Sequence, residues 1–400
     1  MKPTRIAFLV AGLALFMAAN SNPAWANLAA NTQIINQASL SYNDGTGVKT
    51  ASAAVTVTIA LVPSAPNILP GSAQSTSYNG AATTLTDSFT ITAGANGPDT
   101  YTLDAGVTAS SNTSGAAANE AVATVSLGAS VTTSGSTTTN IVVPADGNLP
   151  GEMPGVNGIQ IGDTVVINGE ARTVTNIFDN ASGTSTIVLN AALTAAPGTG
   201  VLVAEQQVVT VLVTAGTIAT TGTDVTVSAN LIVTSTTDAL ATATSGAILN
   251  TYTSGVATLA KYVRNVSVES GSGVAYVYNS INYYPSGVTA KPNDTLEYLL
   301  VASNSGSGAV SASVITDILP TEFITLKDNA YAAGKEVTYV DDIGAVTTLS
   351  KAVDADTARY TAATNTLTVN VGTGATNALG GSIPGINKSV LVLYQATVNP

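Results

Sequence analysis

The chain has 400 residues with 24 acidic and 12 basic side chains, no histidine and no cysteine. Charged residues make up 9% of the chain and hydrophobic residues 45%. The lack of imidazole and thiol groups excludes Ser-His-Asp triads, cysteine nucleophiles, zinc fingers and disulfides, and the net charge of −12 disfavours nucleic acid as a partner.

The N-terminus has the pattern of a bacterial secretory signal. Lys2 and Arg5 precede an apolar run over residues 6–19, and Ala24-Trp25-Ala26 is typical of a small-x-small cleavage site. The run is shorter than the roughly 20 residues of a membrane-spanning helix. We therefore predict a signal peptide at residues 1–26 and export to the cell surface or extracellular space, with the periplasm as the alternative. We expect no integral membrane segment in the mature chain.

Residues 33–62 alternate in polarity directly after the predicted cleavage site. The apolar positions Ile34, Ala38, Leu40 and Tyr42 are interleaved with Gln33, Gln37, Ser39 and Ser41, and Val55, Val57, Ile59 and Leu61 are interleaved in the same way with polar and small residues. Asn43-Asp44-Gly45 is a turn signal between them. The first strand has two interpretations: it belongs to the chain's own sandwich, or it adds to a neighbouring chain.

Apolar alternation recurs along most of the remaining chain. Turn signals such as Asn168-Gly169 and the Ser-Gly repeat at 305–308 separate the alternating runs. Many short strands at this spacing predict an all-β protein built of sandwiches or barrels. Short helices stay open at residues 238–249 and 328–335, although neither stretch has a strong helical period.

Changes in composition predict the domain organisation. Residues 27–252 form an N-terminal β-sandwich, interrupted at about 140–206 by a small β-barrel-like or curled-sheet subdomain that follows prolines at 144, 150 and 154. From about Tyr252 onward the chain holds 8 of its 12 bases and 11 of its 14 tyrosines. A boundary near Ser254-Gly255 therefore predicts a C-terminal domain over residues 253–400.

The C-terminal domain contains a recognisable motif. Lys291-Pro292-Asn293-Asp294-Thr295-Leu296-Glu297-Tyr298 leads through Asn304-Ser305-Gly306 to Val314-Ile315-Thr316-Asp317-Ile318-Leu319-Pro320. Residues 257–398 thereby resemble the bacterial conserved repeat domain, domain of unknown function eleven. The resemblance implies an immunoglobulin-like sandwich that serves exported and surface proteins as a spacer, wall or matrix module and not as an enzyme. The predicted fold is thus a tandem of immunoglobulin-like β-sandwiches with an inserted β-barrel-like subdomain. Asn293 replaces the family's usual glycine, and asparagine tolerates the same left-handed turn.

Four aspartates form the candidate metal site: Asp341, Asp342, Asp354 and Asp356. Paired carboxylates in polar loops suit a calcium ion, but solvated loop surface is the favoured interpretation. We therefore expect no cofactor and keep calcium as the alternative. Acid-pair hydrolysis of glycosides is a further alternative that the loop setting disfavours.

Lys261 lies between Leu259 and Val263 on one face of a predicted strand. A lysine among inward apolar positions needs a partner. In some bacterial surface sandwiches such a lysine forms an amide with an asparagine, assisted by a buried acid, for which Asn370 and Glu297 are the candidates. The favoured alternative is an edge-strand lysine that extends its ammonium group into water.

The tyrosines Tyr276, Tyr278, Tyr283 and Tyr284 form a candidate binding patch for sugars or for another protein surface. The alternative is that they cover an edge of the sandwich. A charged fraction of 9%, against about 25% in average proteins, leaves sheet edges poorly protected from pairing with other chains. We therefore predict a non-enzymatic structural or assembly protein of the bacterial surface or matrix, whose partners are its own copies, other surface proteins or glycans. The alternative is an adhesive or carbohydrate-binding module.

Overall fold

The computed structural model describes residues 28–146, 155–180 and 183–400, so the predicted signal peptide lies outside the described residues. The described residues form 33 strands and no helix, which confirms the all-β prediction. Neither stretch left open for a helix is helical: residues 238–249 hold the short strand Thr242–Thr244 and the start of Ile248–Thr253, and residues 328–335 form turns. Within the described ranges, no helix is long and apolar enough to cross a bilayer.

The chain begins with a free-standing hairpin of two 11-residue strands, β1 (Gln33–Asn43) and β2 (Val48–Thr58). They pair antiparallel from Gln33 opposite Thr58 to Asn43 opposite Val48. Asn43 Oδ1 accepts a 2.9 Å hydrogen bond from the Gly45 amide in the connecting turn. These two strands form a sheet of their own and are exposed at every position.

The next 19 strands lie between residues 67 and 253. They are β3 (Asn67–Pro70), β4 (Gln74–Ser77), β5 (Thr84–Thr92), β6 (Asp99–Ser111), β7 (Thr113–Ser114), β8 (Ala117–Glu120), β9 (Thr124–Leu127), β10 (Ala129–Val131), β11 (Asn140–Pro144), β12 (Gly155–Val156), β13 (Ile159–Gln160), β14 (Thr164–Ile167), β15 (Glu170–Asn180), β16 (Thr184–Leu189), β17 (Leu202–Thr214), β18 (Thr217–Ile218), β19 (Val225–Ser235), β20 (Thr242–Thr244) and β21 (Ile248–Thr253).

Two sheets from this set form the first sandwich. One sheet has the order β11-β16-β15-β14-β17-β5-β3, and its part β17-β5-β3 packs on the second sheet, which has the order β4-β21-β19-β6-β9. Strict alternation builds the core between them, because β19 buries Val225, Val227, Ala229, Leu231 and Val233 while its intervening residues stay half exposed.

Strands β11 to β16 curl away from this sandwich and enclose a second core. Ile141, Ile167 and Ile187 are fully buried in it. The 13-residue strand β17 belongs to both parts, since it pairs with β14 at its beginning and with β5 further along. Asn168 and Gly169 both have positive φ in the tight turn between β14 and β15, as the Asn-Gly signal predicts.

The C-terminal part has twelve strands: β22 (Ala257–Asn265), β23 (Tyr276–Tyr278), β24 (Ile281–Tyr283), β25 (Thr295–Asn304), β26 (Val310–Ile318), β27 (Ile324–Leu326), β28 (Val337–Val340), β29 (Val346–Leu349), β30 (Ala358–Thr361), β31 (Thr366–Asn370), β32 (Gly381–Ile383) and β33 (Lys388–Val398). A sheet ordered β22-β25-β33-β28-β29 packs on a sheet ordered β30-β31-β26-β32. Asn293 precedes β25 with φ +70°, in the left-handed region that asparagine tolerates.

The first of these two sheets is covered on both faces. Leu300 and Val392 point into the core between the sheets, whereas Leu299 and Leu393 point to the opposite face, beneath the hairpin β23–β24. Burial on both faces explains the nearly continuous apolar run in the middle of β25.

The hairpin β1–β2 and the C-terminal part attach to opposite ends of the first sandwich. Strand β6 starts at Asp99, beside the loop 94–98 that holds the hairpin, and ends at Ser111, which pairs with Thr226 near the junction at residue 254. Thirteen residues of extended chain separate these ends by about 40 Å.

Candidate functional site

The hairpin β1–β2 is amphipathic. Cross-strand partners share a face, so the register Ile34 to Val57 and Leu40 to Ala51 defines one apolar side. We call this side the hairpin face; it contains Ile34, Asn36, Ala38, Leu40, Tyr42, Lys49, Ala51, Ala53, Val55 and Val57. The opposite side carries mainly serine, threonine, glutamine and asparagine.

Nothing in the described chain covers the hairpin face. Leu40 is 63% exposed and Val55 is 64% exposed, although each is of a residue type that is normally buried. An isolated two-stranded hairpin is only marginally stable in water and needs a third strand or a packed face. The hairpin face is therefore an apolar surface that the described residues leave exposed.

Asn96 fixes the base of this hairpin to the first sandwich. Its amide nitrogen donates to the carbonyls of Leu28 (3.0 Å) and Ala60 (3.4 Å), and its Oδ1 accepts from the Val62 amide at 2.7 Å. Gly97 lets the chain approach closely, since a Cβ there would lie 2.5 Å from the Ala30 Cβ. The hairpin is thus held at its base while its strands project freely.

At the far end of the molecule, β22 is an open sheet edge. Along β22, residues whose backbone groups bond to β25 alternate with residues whose backbone groups point outward. The Ser305 amide donates to the Val256 carbonyl on the β25 side, whereas Val263 exchanges backbone hydrogen bonds with Tyr284 on the outer side. By this alternation the backbone groups of Ala257, Leu259 and Lys261 point away from β25. They have no backbone partner among the described residues. Leu259 is 56% exposed on this edge.

Lys261 is held by Asp317 and not by the predicted amide partners. Its Nζ lies 2.6 Å from Asp317 Oδ2 and 4.8 Å from the centre of the Tyr298 ring. Tyr394 donates to the same carboxylate at 2.7 Å. The salt bridge joins β22 to β26 in the facing sheet, so it spans the open side of the sandwich.

Glu297 and Asn370 have other partners. Lys261 pairs with Leu300 in the ladder and Glu297 pairs with Arg264, so Lys261 and Glu297 lie on opposite faces of the sheet. Asn370 donates to the Thr376 carbonyl at 2.7 Å. The structure therefore does not bring together the three residues that the sequence proposed for an amide cross-link.

Glu297 is instead the centre of a buried hydrogen-bond network. Arg264, Tyr283, Tyr331 and Gln395 all donate to its carboxylate, over 2.6 to 3.0 Å. Burial alone would raise the pKa of Glu297, but these donors outweigh burial and lower the pKa below its ordinary value. The network fastens the hairpin β23–β24 to the sheet beneath it.

The four patch tyrosines belong mainly to this cover. Tyr283 is 1% exposed, and Tyr276, Tyr278 and Tyr284 are half-buried. The Tyr276 ring packs 5.4 Å from the Tyr262 ring. Tyr283 is therefore not accessible to a ligand, as the alternative of a structural cover expects.

A polar cleft of about 270 Å³ lies next to Tyr284. Glu269 and Asn282 line it, and Glu269 Oε1 accepts hydrogen bonds from Asn282 (2.9 Å) and Tyr284 (3.3 Å). Of the four patch tyrosines, Tyr284 alone lines this cleft.

The candidate calcium ligands are occupied by turn and loop contacts. Asp341 accepts from the amides of Ile343 and Ala345, and Asp354 accepts from Ser350 Oγ at 2.6 Å. Asp356 accepts from the Ser350 amide at 2.7 Å and forms a salt bridge with Lys335. Asp342 joins Asp341 and Asp356 around one cleft of about 500 Å³. Within the described ranges, no group of three or more acidic side chains is placed to hold a metal ion.

Sequence reasoning missed a second buried acid, Glu205 on β17. It lies at the seam between the first sandwich and the inserted strands, and its Oε2 accepts from the Gly128 amide at 2.5 Å. Burial, with a smaller contribution from the charge of Asp163, raises the pKa of Glu205 to about 7. Its position in an otherwise alternating strand, with Ala204 before it and two glutamines after it, gave no signal of burial.

Comparison with known proteins gives no family. No family model matches the chain, and no curated protein matches it. Among the solved structures that match the chain, one described as "BspA_C_WT" is 10% identical and aligns with a TM-score of 0.28 over 81% of this chain and 88% of that chain. The fold assignment therefore rests on the strands and sheets described above.

Proposed function

We propose that this chain is a non-enzymatic, exported structural protein of the bacterial surface or extracellular matrix, and that it assembles through the hairpin face. The observation that carries the proposal is a hairpin that is anchored at its base yet exposed along both strands. The two strands hold 22 residues, of which ten form the exposed hairpin face, and an isolated two-stranded hairpin is only marginally stable without a further strand or a packed face.

Sequence features support the same proposal. The N-terminal signal pattern favours export, and the resemblance of residues 257–398 to the conserved repeat domain favours a surface or matrix role. A charged fraction of 9% provides little repulsion between sheets of neighbouring chains.

The test compares two double variants that add the same charge to opposite sides of the hairpin. Leu40→Lys with Val55→Lys places two lysines on the hairpin face, and Ser39→Lys with Thr56→Lys places two on the polar side of the same strands. Sedimentation velocity and electron microscopy are run on the chain lacking residues 1–26. We expect the unmodified chain and the polar-side variant to self-associate, and the hairpin-face variant to stay monomeric. A chain that stays monomeric at every concentration, or a hairpin-face variant that assembles normally, would overturn the proposal.

The polar cleft beside Tyr284 favours a second candidate function, recognition of a glycan. Its volume of about 270 Å³ is of monosaccharide size, and Glu269 and Asn282 supply polar groups for sugar hydroxyls. The test is a glycan array with Tyr284→Ala and, as a control remote from the cleft, Tyr360→Ala. Binding that is lost only in Tyr284→Ala supports this candidate, and equal binding by both variants, or no binding by the unmodified chain, opposes it.

A further inference from the structure

The hairpin needs a receiving surface, and the edge strand β22 has the matching properties. Apart from the hairpin, β22 is the longest strand at the end of any described sheet order, with nine residues against the eleven of β1. Its outward backbone groups at Ala257, Leu259 and Lys261 can accept another strand. Added there, a hairpin can direct its apolar face to the side on which Leu259 is exposed.

The receiving edge must belong to a second copy of the chain. Within one copy the hairpin and β22 are attached at opposite ends of the first sandwich, about 40 Å apart along β6. Asn96 holds the hairpin base at its own end. A contact between two different surfaces is heterologous, so it joins copies head to tail. Such a contact gives an open chain unless the rotation between copies closes a ring.

The available area argues against the simplest alternative, two hairpins packed face to face. One face of an 11-residue hairpin measures about 370 Å², from about 3.4 Å per residue and about 5 Å per strand. Two such faces bury about 700 Å² together, below the roughly 1,200 Å² of stable interfaces. Strand addition to β22 adds backbone hydrogen bonds and a second surface to the contact.

The distribution of charge also favours a contact between unlike ends of two copies. Residues 27–252 carry 13 acids and 2 bases, a net charge of −11, whereas residues 253–400 carry 11 acids and 8 bases, a net charge of −3. A contact between the N-terminal part of one copy and the C-terminal part of another therefore meets less repulsion than a contact between two N-terminal parts.

We propose that the hairpin β1–β2 of one copy adds to the β22 edge of the next copy and so builds a head-to-tail polymer. This inference rests on the proposed function. It adds the identity of the partner surface, a second copy's open C-terminal sheet edge.

Two variants that block opposite ends of the contact test the inference. Leu40→Lys with Val55→Lys disables the hairpin and leaves β22 intact, and Leu259→Lys disables the edge and leaves the hairpin intact. Val346→Lys is the matched control for the edge, because Val346 is 58% exposed against 56% for Leu259 and lies on β29, at the opposite edge of the same sheet. Circular dichroism checks that all variants fold.

We expect each blocked variant to be monomeric alone, with self-association at least about tenfold weaker than in the unmodified chain. An equimolar mixture of the two should form a 1:1 heterodimer and nothing longer, because one open hairpin meets one open edge. Val346→Lys should polymerise like the unmodified chain.

Two other outcomes distinguish a failure of this inference from a failure of the proposed function. If Leu259→Lys assembles as the unmodified chain does, or if the mixture stays monomeric, the β22 edge is not the receiver, although the proposed function stands as long as the hairpin-face variant fails to assemble. If the hairpin-face variant also assembles normally, both the inference and the proposed function fail.

Discussion

Two hairpins of this molecule differ in burial: β23–β24 is packed against a sheet, and β1–β2 is exposed. β23–β24 has three residues in each strand, and its tyrosines pack against Leu299 and Leu393 while Tyr283 donates to buried Glu297. β1–β2 is almost four times longer and carries a largely apolar face that includes Asn36 and Lys49, yet none of its residues is buried. Burial of a hairpin thus depends on the surface that lies opposite it and not on its own pattern. The uncovered hairpin is the one that is available to a partner.

The largest expected effect comes from breaking the covered hairpin. Glu297→Ala removes the carboxylate from four donors and leaves Arg264 partly buried without its ion-pair partner. Loss of one partner of a buried pair costs about 3–5 kcal/mol. Urea unfolding should show this loss, whereas Glu269→Ala, on the exposed side of the same region, should change the free energy of unfolding by less than about 0.5 kcal/mol. Equal effects of the two variants would contradict the role given to Glu297.

The anchor of the exposed hairpin should give an intermediate effect. Asn96→Ala removes three hydrogen bonds at a buried site, and a buried polar group left unpaired costs about 1–3 kcal/mol. Hydrogen exchange should accelerate at residues 28–32 and 59–62, and self-association should weaken because the hairpin is no longer held in one orientation. Asn119→Ala, an exposed residue of β8, is the control. Unchanged exchange at the hairpin base in Asn96→Ala would show that Asn96 does not hold it.

Low pH should also affect the two hairpins differently. The lowered pKa of Glu297 means that its stabilising contribution is present above the unfolded value of 4.5 and is lost as the pH falls through the folded value. Hydrogen exchange of β23–β24, corrected for its intrinsic pH dependence, should therefore increase below about pH 4.5. Exchange of β1–β2 in the monomer should change less, because its one acid, Asp44, is exposed in the turn, where hydrogen bonds from Thr46 lower its pKa. Glu297→Gln should remove the change, and a change that persists in that variant would contradict this assignment.

Glu205, the buried acid on β17, has the opposite effect on how stability changes with pH. Because the folded pKa of Glu205 is about 7 and the unfolded value is 4.5, the folded state holds a proton that the unfolded state has lost between these values. The contribution of Glu205 therefore makes the protein less stable as the pH rises from about 4.5 to about 7. Comparing urea unfolding at pH 5 and pH 7.5 in the unmodified chain and in Glu205→Gln should show a smaller loss in the variant. An equal loss in both would contradict the assignment.

The smallest expected effect is on the exposed hairpin itself. Leu40→Ala removes side-chain atoms that contact water, so the free energy of unfolding of the monomer should change by less than about 0.5 kcal/mol. Leu299→Ala removes the same atoms from a fully buried site beneath β23–β24 and should cost about 2–5 kcal/mol. A large loss in Leu40→Ala would mean that the hairpin is covered within its own chain.

The sequence allowed much of the fold to be predicted, because valine and threonine alternate wherever one strand face is buried. β19 shows this period throughout, and the Asn168-Gly169 turn and the left-handed Asn293 lie where their residue types indicate. The sequence also identified the apolar side of β1. It did not show that β1 pairs only with β2, because strand alternation is the same whether the apolar face meets the chain's own core or a partner.

The candidate sites were harder to predict from residue order. Glu297 was the candidate buried acid for a cross-link at Lys261, but the ladder register places the two residues on opposite sheet faces. Register depends on turns that residue types only partly define. Asn96 resembled an ordinary turn residue in Asn96-Gly97-Pro98. Its role depends on two chain segments more than 30 residues away, and no local pattern records such contacts.

Hydrogen exchange of the unmodified chain in dilute and in concentrated solution tests the central claim most directly. If the hairpin is the assembly element, residues 33–58 exchange quickly in the monomer and become protected as the protein assembles, together with residues 257–261 and in the same concentration range. Assembled protein in which residues 33–58 still exchange as fast as in the monomer would contradict the account.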